Sequence, residues 1–177
     1  MSDRHNILLL ILLLPALALG QTIHFEKDRV GYKGKMEFSG SDKSDNYLKA
    51  KDLLLNIVKP APDSLKENEE EKELIASANM RIPSSKHHII KTLDYKVRLK
   101  TGKNGIAYEI GDIKLNVTER GKKTKTLRAE EILKGMEENG KVSMMAEKEL
   151  NEIDMHLQKL IASMQAQLSN VQPNGNN

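Results

Sequence analysis

Cysteine and tryptophan are both missing from the 177-residue sequence, and the remaining aromatics are two Phe and four Tyr. Without cysteine there is no disulfide framework, no thiolate metal ligand and no thiol nucleophile, so stability must come from packing alone. So few aromatic rings argue against a base-stacking platform. The formal charge is +3 with 30% charged residues, a mixed balance that does not point to nucleic acid. A Gly-x-Ser-x-Gly elbow, a P-loop and a His-Glu-x-x-His helix are absent too.

Long hydrophobic runs are limited to one place. Arg4 and His5 precede the apolar run Ile7 to Leu14, and Pro15 leads to an Ala18-x-Gly20 small-residue site. That layout reads as a signal peptide over 1–20, cleaved before Gln21. About 13 apolar residues fall short of the roughly 20 that span a bilayer. No cysteine stands at the cleavage point, so a lipid anchor is excluded. The expected product is periplasmic or secreted and is not an integral membrane protein. Export argues further against nucleic acid. The remaining chain, about 157 residues, suffices for one domain over 21–168 with one core.

Strict alternation is what the sequence does have. Leu93, Tyr95, Val97 and Leu99 alternate with Thr92, Asp94, Lys96, Arg98 and Lys100, and Ile106, Tyr108 and Ile110 resume the pattern after Gly102–Gly105. Period two marks a half-buried strand, so this stretch predicts a long β-hairpin. The inward parity switches between Ile110 and Ile113, at Gly111-Asp112, which predicts a β-bulge. An Asn104-Gly105 type I′ turn would set Leu99 opposite Ile110, and Val97, Tyr95 and Leu93 opposite Ile113, Leu115 and Val117. A turn on Gly102-Lys103 would instead pair Leu99 with Ile106 and Val97 with Tyr108.

The rest of the chain falls around this hairpin. Gln21–Phe38 reads as a broken strand, clearest over Lys35–Phe38. A helix follows with Asp42 or Ser44 as N-cap and an apolar stripe of Tyr47, Ala50, Leu54, Ile57 and Val58. Lys59-Pro60 ends it. Asp63–Lys72 is a charged connector whose Glu69-Glu70-Glu71 run reads as a solvated loop. Leu74, Ala76, Ala78, Met80 and Ile82 form a strand stopped by Pro83. Glu119–Thr126 reads as a basic solvated loop, and Leu127–Lys134 as a short helix stopped by Gly135. From Ser143 to Leu168, Leu150, Ile153, Leu157, Leu160, Met164 and Leu168, with Ile161 beside them, form the strongest apolar stripe. This 143–168 helix is expected to dock on the domain's own sheet, and is also the surface available for a homo-oligomer. The tail 169–177 is polar and expected to be disordered.

The fold class is therefore α+β: a curved antiparallel sheet of about four strands with helices packed on one face and a long C-terminal helix. MEFSGSDKSDNYLKAKDLLL, ELIASANMRI and DYKVRLKTGKNGIAYEIGDIKLN together resemble a family of exported Bacteroidota proteins with a domain of unknown function. The resemblance covers about Val30 to Val117 plus the late helix, and implies a TBP-like fold. It implies no activity, and nucleic-acid binding does not transfer with the fold.

Residues that could carry chemistry show little convergence. Adjacent His87 and His88 in a strand would point to opposite faces and cannot share one metal. His24 lies near a strand, and His156 beside the apolar stripe of the last helix. Glu109, Asp112 and Asp94 offer carboxylates, but facing Lys96, Arg98 and Lys114 they read as exposed ion pairs. Asn116-Val117-Thr118 matches a glycosylation sequon by chance. The reading is a non-enzymatic exported protein that binds a small ligand or protein, with no catalytic residue, metal ligand or cofactor assigned. The alternatives are a hydrolase-like enzyme built from scattered polar residues and a self-associating structural component.

Overall fold

Strands dominate the first two thirds of the fold and helices close it. The computed structural model describes residues 23–26, 29–37, 43–137 and 144–170. Its strands are β1 (Ile23–Glu26), β2 (Arg29–Glu37), β3 (Lys66–Asn68), β4 (Glu73–Ile82), β5 (Ile89–Gly102), β6 (Gly105–Glu119) and β7 (Lys125–Arg128). Its helices are α1 (Lys43–Leu53), α2 (Ala129–Glu137) and α3 (Met144–Asn170), with α1 widening into a π-helical turn over Leu54–Val58. The 1–20 segment, Asp42, Ser143 and residues 171–177 lie outside the described residues. Ser44 sits inside α1, not at its N-cap, and α3 runs two residues past the expected end at Leu168.

The sheet is antiparallel with order β1-β2-β6-β5-β4-β3, and β7 also pairs with β6. Seven strands replace the expected four or so. Gln21–Phe38 is not one broken strand but the β1–β2 hairpin, with Ile23 opposite Tyr32 and Phe25 opposite Val30. Gly34 does not interrupt β2. A Cβ there would lie 2.5 Å from the Tyr108 hydroxyl, so the glycine makes room for that ring. The charged connector contains β3, a three-residue edge paired with Glu73–Ile75 of β4, while Glu69, Glu70 and Glu71 stay exposed. Leu127 belongs to β7 rather than to the next helix, and Gly135 sits within α2 instead of ending it. Short polar edges such as β3 and β7 carry no alternation and leave no local signal.

One face of the sheet holds the core. Tyr32, Met36, Leu74, Ala76, Leu93, Tyr95, Val97, Leu99, Ile106, Tyr108, Ile110, Ile113 and Leu115 are buried in one cluster with helix residues. From α1 come Tyr47, Ala50, Leu53, Leu54 and Val58; from α3 come Ile153, Leu157, Leu160, Ile161 and Met164. The apolar stripe of α3 is thus spent on its own sheet. Polar ties fix it there: Tyr32 donates its hydroxyl to Asp154 Oδ1 at 2.9 Å, and Lys91 pairs with Glu152.

The central hairpin keeps its expected bulge but neither expected register. Its two-residue turn is Lys103-Asn104, with Gly102 opposite Gly105, Leu99 opposite Tyr108, Val97 opposite Ile110 and Leu93 opposite Leu115. Asn104 does not take the positive φ of a type I′ turn; Gly105 does, at 143°. A Cβ on Gly105 would lie 2.2 Å from the Met36 carbonyl oxygen, so neighbouring β2 demands glycine there. The turn is also held from below. Buried Asn46 of α1 donates to the Gly102 carbonyl at 2.6 Å, and the Thr101 amide donates to the Lys72 carbonyl at 3.0 Å. At the bulge, Asp112 and Ile113 together oppose Tyr95, between the pairs Lys96–Gly111 and Asp94–Lys114. Asp112 adopts φ 52°, a left-handed conformation that Asp tolerates better than most residues.

Candidate functional site

The uncovered face of the sheet is polar. Lys96, Arg98 and Lys100 alternate outward along β5, and each finds a carboxylate. Lys96 pairs with Asp112, Arg98 with Glu73 at 3.8 Å, and Lys100 with Glu71 at 3.6 Å. Asp94 accepts from Asn116 at 2.8 Å, and the Thr126 hydroxyl donates to Asn116 at 2.7 Å. The expected carboxylates of the hairpin are therefore partners of cations and amides on a wet surface. Asn116 of the sequon lies within the β6 ladder.

A concavity occurs instead where β6 changes neighbours. Along one edge β6 pairs with β2 from Gly105 to Ile110 and with β7 from Lys114 to Val117. Gly111, Asp112 and Ile113 fall between these ladders and have no strand partner on that edge. The ladder of β2 with β6 ends at Tyr32, beyond which Gly31 and Val30 pair with β1 on the other edge, and α2 follows directly on β7. The result is a notch of about 680 Å³ at the bulge, floored by Gly111–Ile113 and walled by Val30 and Gly31 of β2, Arg128 of β7 and Lys134 of α2. Its corner is tied by the Val30 amide, which donates to Glu130 Oε1 of α2 at 3.2 Å. Glu131 in turn accepts the Arg128 amide at 3.0 Å, capping the start of α2 with its own side chain. A volume of this size is that of a small-molecule site, about 300–1,000 Å³, though such sites are usually more apolar.

Four cations and four carboxylates line the notch: Lys33, Lys114, Arg128 and Lys134 against Glu109, Asp112, Glu130 and Glu131. They are not equally engaged. Lys33 stands 3.8 Å from Glu109, Asp112 meets Lys96, and Glu130 and Glu131 accept main-chain amides. The side chains of Lys114, Arg128 and Lys134 make no hydrogen bond or ion pair among the described residues. Two smaller apolar depressions flank α3, one beside Leu48 and Leu168 and one beside Met144 and Met155.

The histidines are dispersed. His87 and His88 lie in an exposed turn before β5 rather than in a strand. His156 is half-buried on α3, its Nδ1 2.8 Å from the Glu152 carbonyl oxygen. His24 is on β1, opposite Gly31. Three metal-ligating side chains do not gather anywhere among the described residues. The basic loop after β6 is a solvated turn in which Lys122 pairs with Glu119 at 2.8 Å. That hydrogen bond holds the Glu119 carboxyl below its usual range. The strongest perturbations lie in the core. Burial, with the hydrogen bond to Asp154, pushes the Tyr32 hydroxyl far up, and burial alone pushes Tyr95 up to about 12 and raises Tyr108. These tyrosines belong to the packed face and do not line the notch.

Arg128, Lys134 and Glu130 were not singled out by the sequence, because their proximity to the bulge depends on strand order. The phase slip at Gly111-Asp112 was the only local trace of the notch.

No family model matches the chain, and no curated protein matches it. Two solved structures resemble it. One is a TBP-like protein from Parabacteroides distasonis, with a TM-score of 0.67 at 15% identity over 85% of this chain and 99% of that one. The other is a DUF4468 family protein from Bacteroides ovatus, with a TM-score of 0.58 at 13% identity over 88% and 94% respectively. At these identities the likeness shows a TBP-like α+β fold and nothing about activity. Among the described residues no helix is long and apolar enough to cross a membrane.

Proposed function

We propose that this is an exported, non-enzymatic binding module of a bacterial envelope, and that the notch at the β6 bulge receives its ligand. The observation that carries the reading is the break in pairing at Gly111–Ile113, which opens a preformed cavity of small-molecule size in a sheet otherwise continuous. Ligand sites favour such irregularities, where backbone and side chains converge without being spent on packing. Catalysis is the weaker reading because no histidine lines the notch, and every notch carboxylate already has a partner. Self-association through the α3 stripe is weakened too, since Ile153, Leu157, Ile161 and Met164 are buried in the chain's own core. Export rests on the 1–20 sequence pattern.

Two measurements test these statements. N-terminal sequencing of the protein from a periplasmic fraction is expected to begin at Gln21; retention of Met1 there would contradict export by cleavage. A screen of small charged and neutral compounds, read by amide chemical shifts, is expected to give hits that move Gly31, Gly111, Ile113 and Arg128. Hits that move only residues elsewhere would remove the notch from its assigned role.

A further inference from the structure

Resting on the notch as the binding site, we propose that its ligand is a small polyanion bearing two or three carboxylate or phosphate groups, held by Lys114, Arg128 and Lys134. The first ground is the unequal engagement of charge. Asp112, Glu130 and Glu131 are occupied by Lys96 or by main-chain amides, and Glu109 has Lys33 within 3.8 Å. The three remaining cations have no partner among the described residues. The lining is neutral in sum, so preference for an anion rests on these three side chains being able to turn toward it while Asp112, Glu130 and Glu131 are held by the bonds they already make.

The second ground is independent of the first. Lys114 and Arg128 are register partners on adjacent strands, so both side chains leave the same face of the sheet with Cβ atoms about 4.5–5.5 Å apart. Like charges directly opposite are destabilising, and the carboxylate in register on the other side of Lys114, Asp94, is held by Asn116 rather than by Lys114. An anion seated between them turns that cost into attraction. Arg suits this role because its planar guanidinium meets carboxylate or phosphate through two parallel hydrogen bonds. Lys134 of α2 also lines the notch and adds the third charge. The unpaired edge of Gly111–Ile113 offers main-chain polar groups that need partners from solvent or ligand. A cavity of about 680 Å³ is roomy for one phosphate ion, so the fitting ligand spans several anionic groups.

Calorimetric titration of the full chain at low ionic strength with citrate, and separately with pyrophosphate, tests this and separates carboxylate from phosphate sources. At least one should bind with Kd below about 1 mM. The triple variant Lys114→Gln, Arg128→Gln, Lys134→Gln should weaken it at least about tenfold, since each close charge pair is worth a sizeable part of such an affinity. A control variant, Lys103→Gln, Lys123→Gln, Lys159→Gln, removes the same net charge from exposed positions outside the notch and should bind like the parent. Equal weakening by the control would reduce the effect to net charge and overturn the proposal. So would failure of both anions. Spermine, titrated alongside with amide shifts recorded, separates the two claims. If spermine moves the notch amides and the anions do not, the polyanion is wrong and the notch survives. If no probe moves them, both fall.

Discussion

Two groups of basic side chains stand on or beside this sheet, and they differ in what surrounds them. On the outer face of β5, Lys96, Arg98 and Lys100 each meet a carboxylate from a neighbouring strand or loop. At the notch, Lys114, Arg128 and Lys134 meet none among the described residues, and two of them face each other across a ladder. Residue type is alike in the two places, and Lys114 and Arg128 stand on strands as the β5 cations do, with Lys134 added from α2. The arrangement of neighbours differs, and it decides whether a cation is surface dressing or an unsatisfied binding group. Exposed ion pairs of the first kind contribute little to stability. Charges of the second kind cost a little, and are better explained by a ligand than by folding.

If that division is right, the fold is held beneath both groups, by the inner face. Leu157→Ala, which empties a fully buried site on α3, should lower stability by about 3 kcal/mol in urea unfolding, while the triple notch variant leaves the midpoint nearly unchanged. A large loss in the notch variant would mean those cations are structural, and the contrast would break. Gly105→Ala should cost at least about 2 kcal/mol, because the new methyl meets the Met36 carbonyl at 2.2 Å where φ is already 143°. A tolerated Gly105→Ala would show that β2 does not pin the start of β6.

The inner face should also reveal itself at alkaline pH. Tyr32, Tyr95 and Tyr108 have folded-state pKa values above the unfolded value of 10.0. The folded state therefore keeps its protons longer. This contribution is intact below pH 10.0 and is lost as pH rises through the folded values, to about 12 for Tyr95. Over that window Tyr95 alone should account for about 2–3 kcal/mol of lost stability. Tyr95→Phe should flatten the fall measured in urea titrations between those pH values; an unchanged slope would place the titrating groups elsewhere.

The smallest effects sharpen the comparison most, because they differ in sign. Lys96→Gln removes a paired cation and should cost under about 0.5 kcal/mol. Arg128→Gln relieves the unfavourable cross-strand pair with Lys114 without touching Asp94, the other register partner of Lys114, and should gain about 0.3 kcal/mol in the absence of anion. A double-mutant cycle with Lys114→Gln checks that the gain comes from that pair, and raised salt should shrink both effects.

The two regions also differ in how far the sequence revealed them. Leu93 through Leu99, Ile113, Leu115 and the α3 stripe were legible because burial imposes a local period of two or 3.6 residues. The bulge was legible as a slip in that period. The turn was not: Asn104-Gly105 has the composition of a type I′ pair, yet the positive φ of Gly105 answers to Met36 of β2, a long-range neighbour. Asn46 carries no local signal, because its partner carbonyls, Gly102 and Lys103, are over fifty positions away. β3 and β7 are polar edges too short to show a pattern. The notch needs β2 and β7 to share one edge of β6, and strand order is not written in any single stretch of residues.

The central claim is that the ligand site is the break in β6 and not the basic outer face of β5. It is tested most directly by one titration of isotopically labelled full chain with citrate or pyrophosphate, read at amides in both places. The account predicts saturable shifts at Gly31, Gly111 to Lys114, Arg128 and Lys134, with Lys96, Arg98 and Lys100 moving little. Saturable shifts along Lys96, Arg98 and Lys100 with Gly111 and Arg128 still would contradict it.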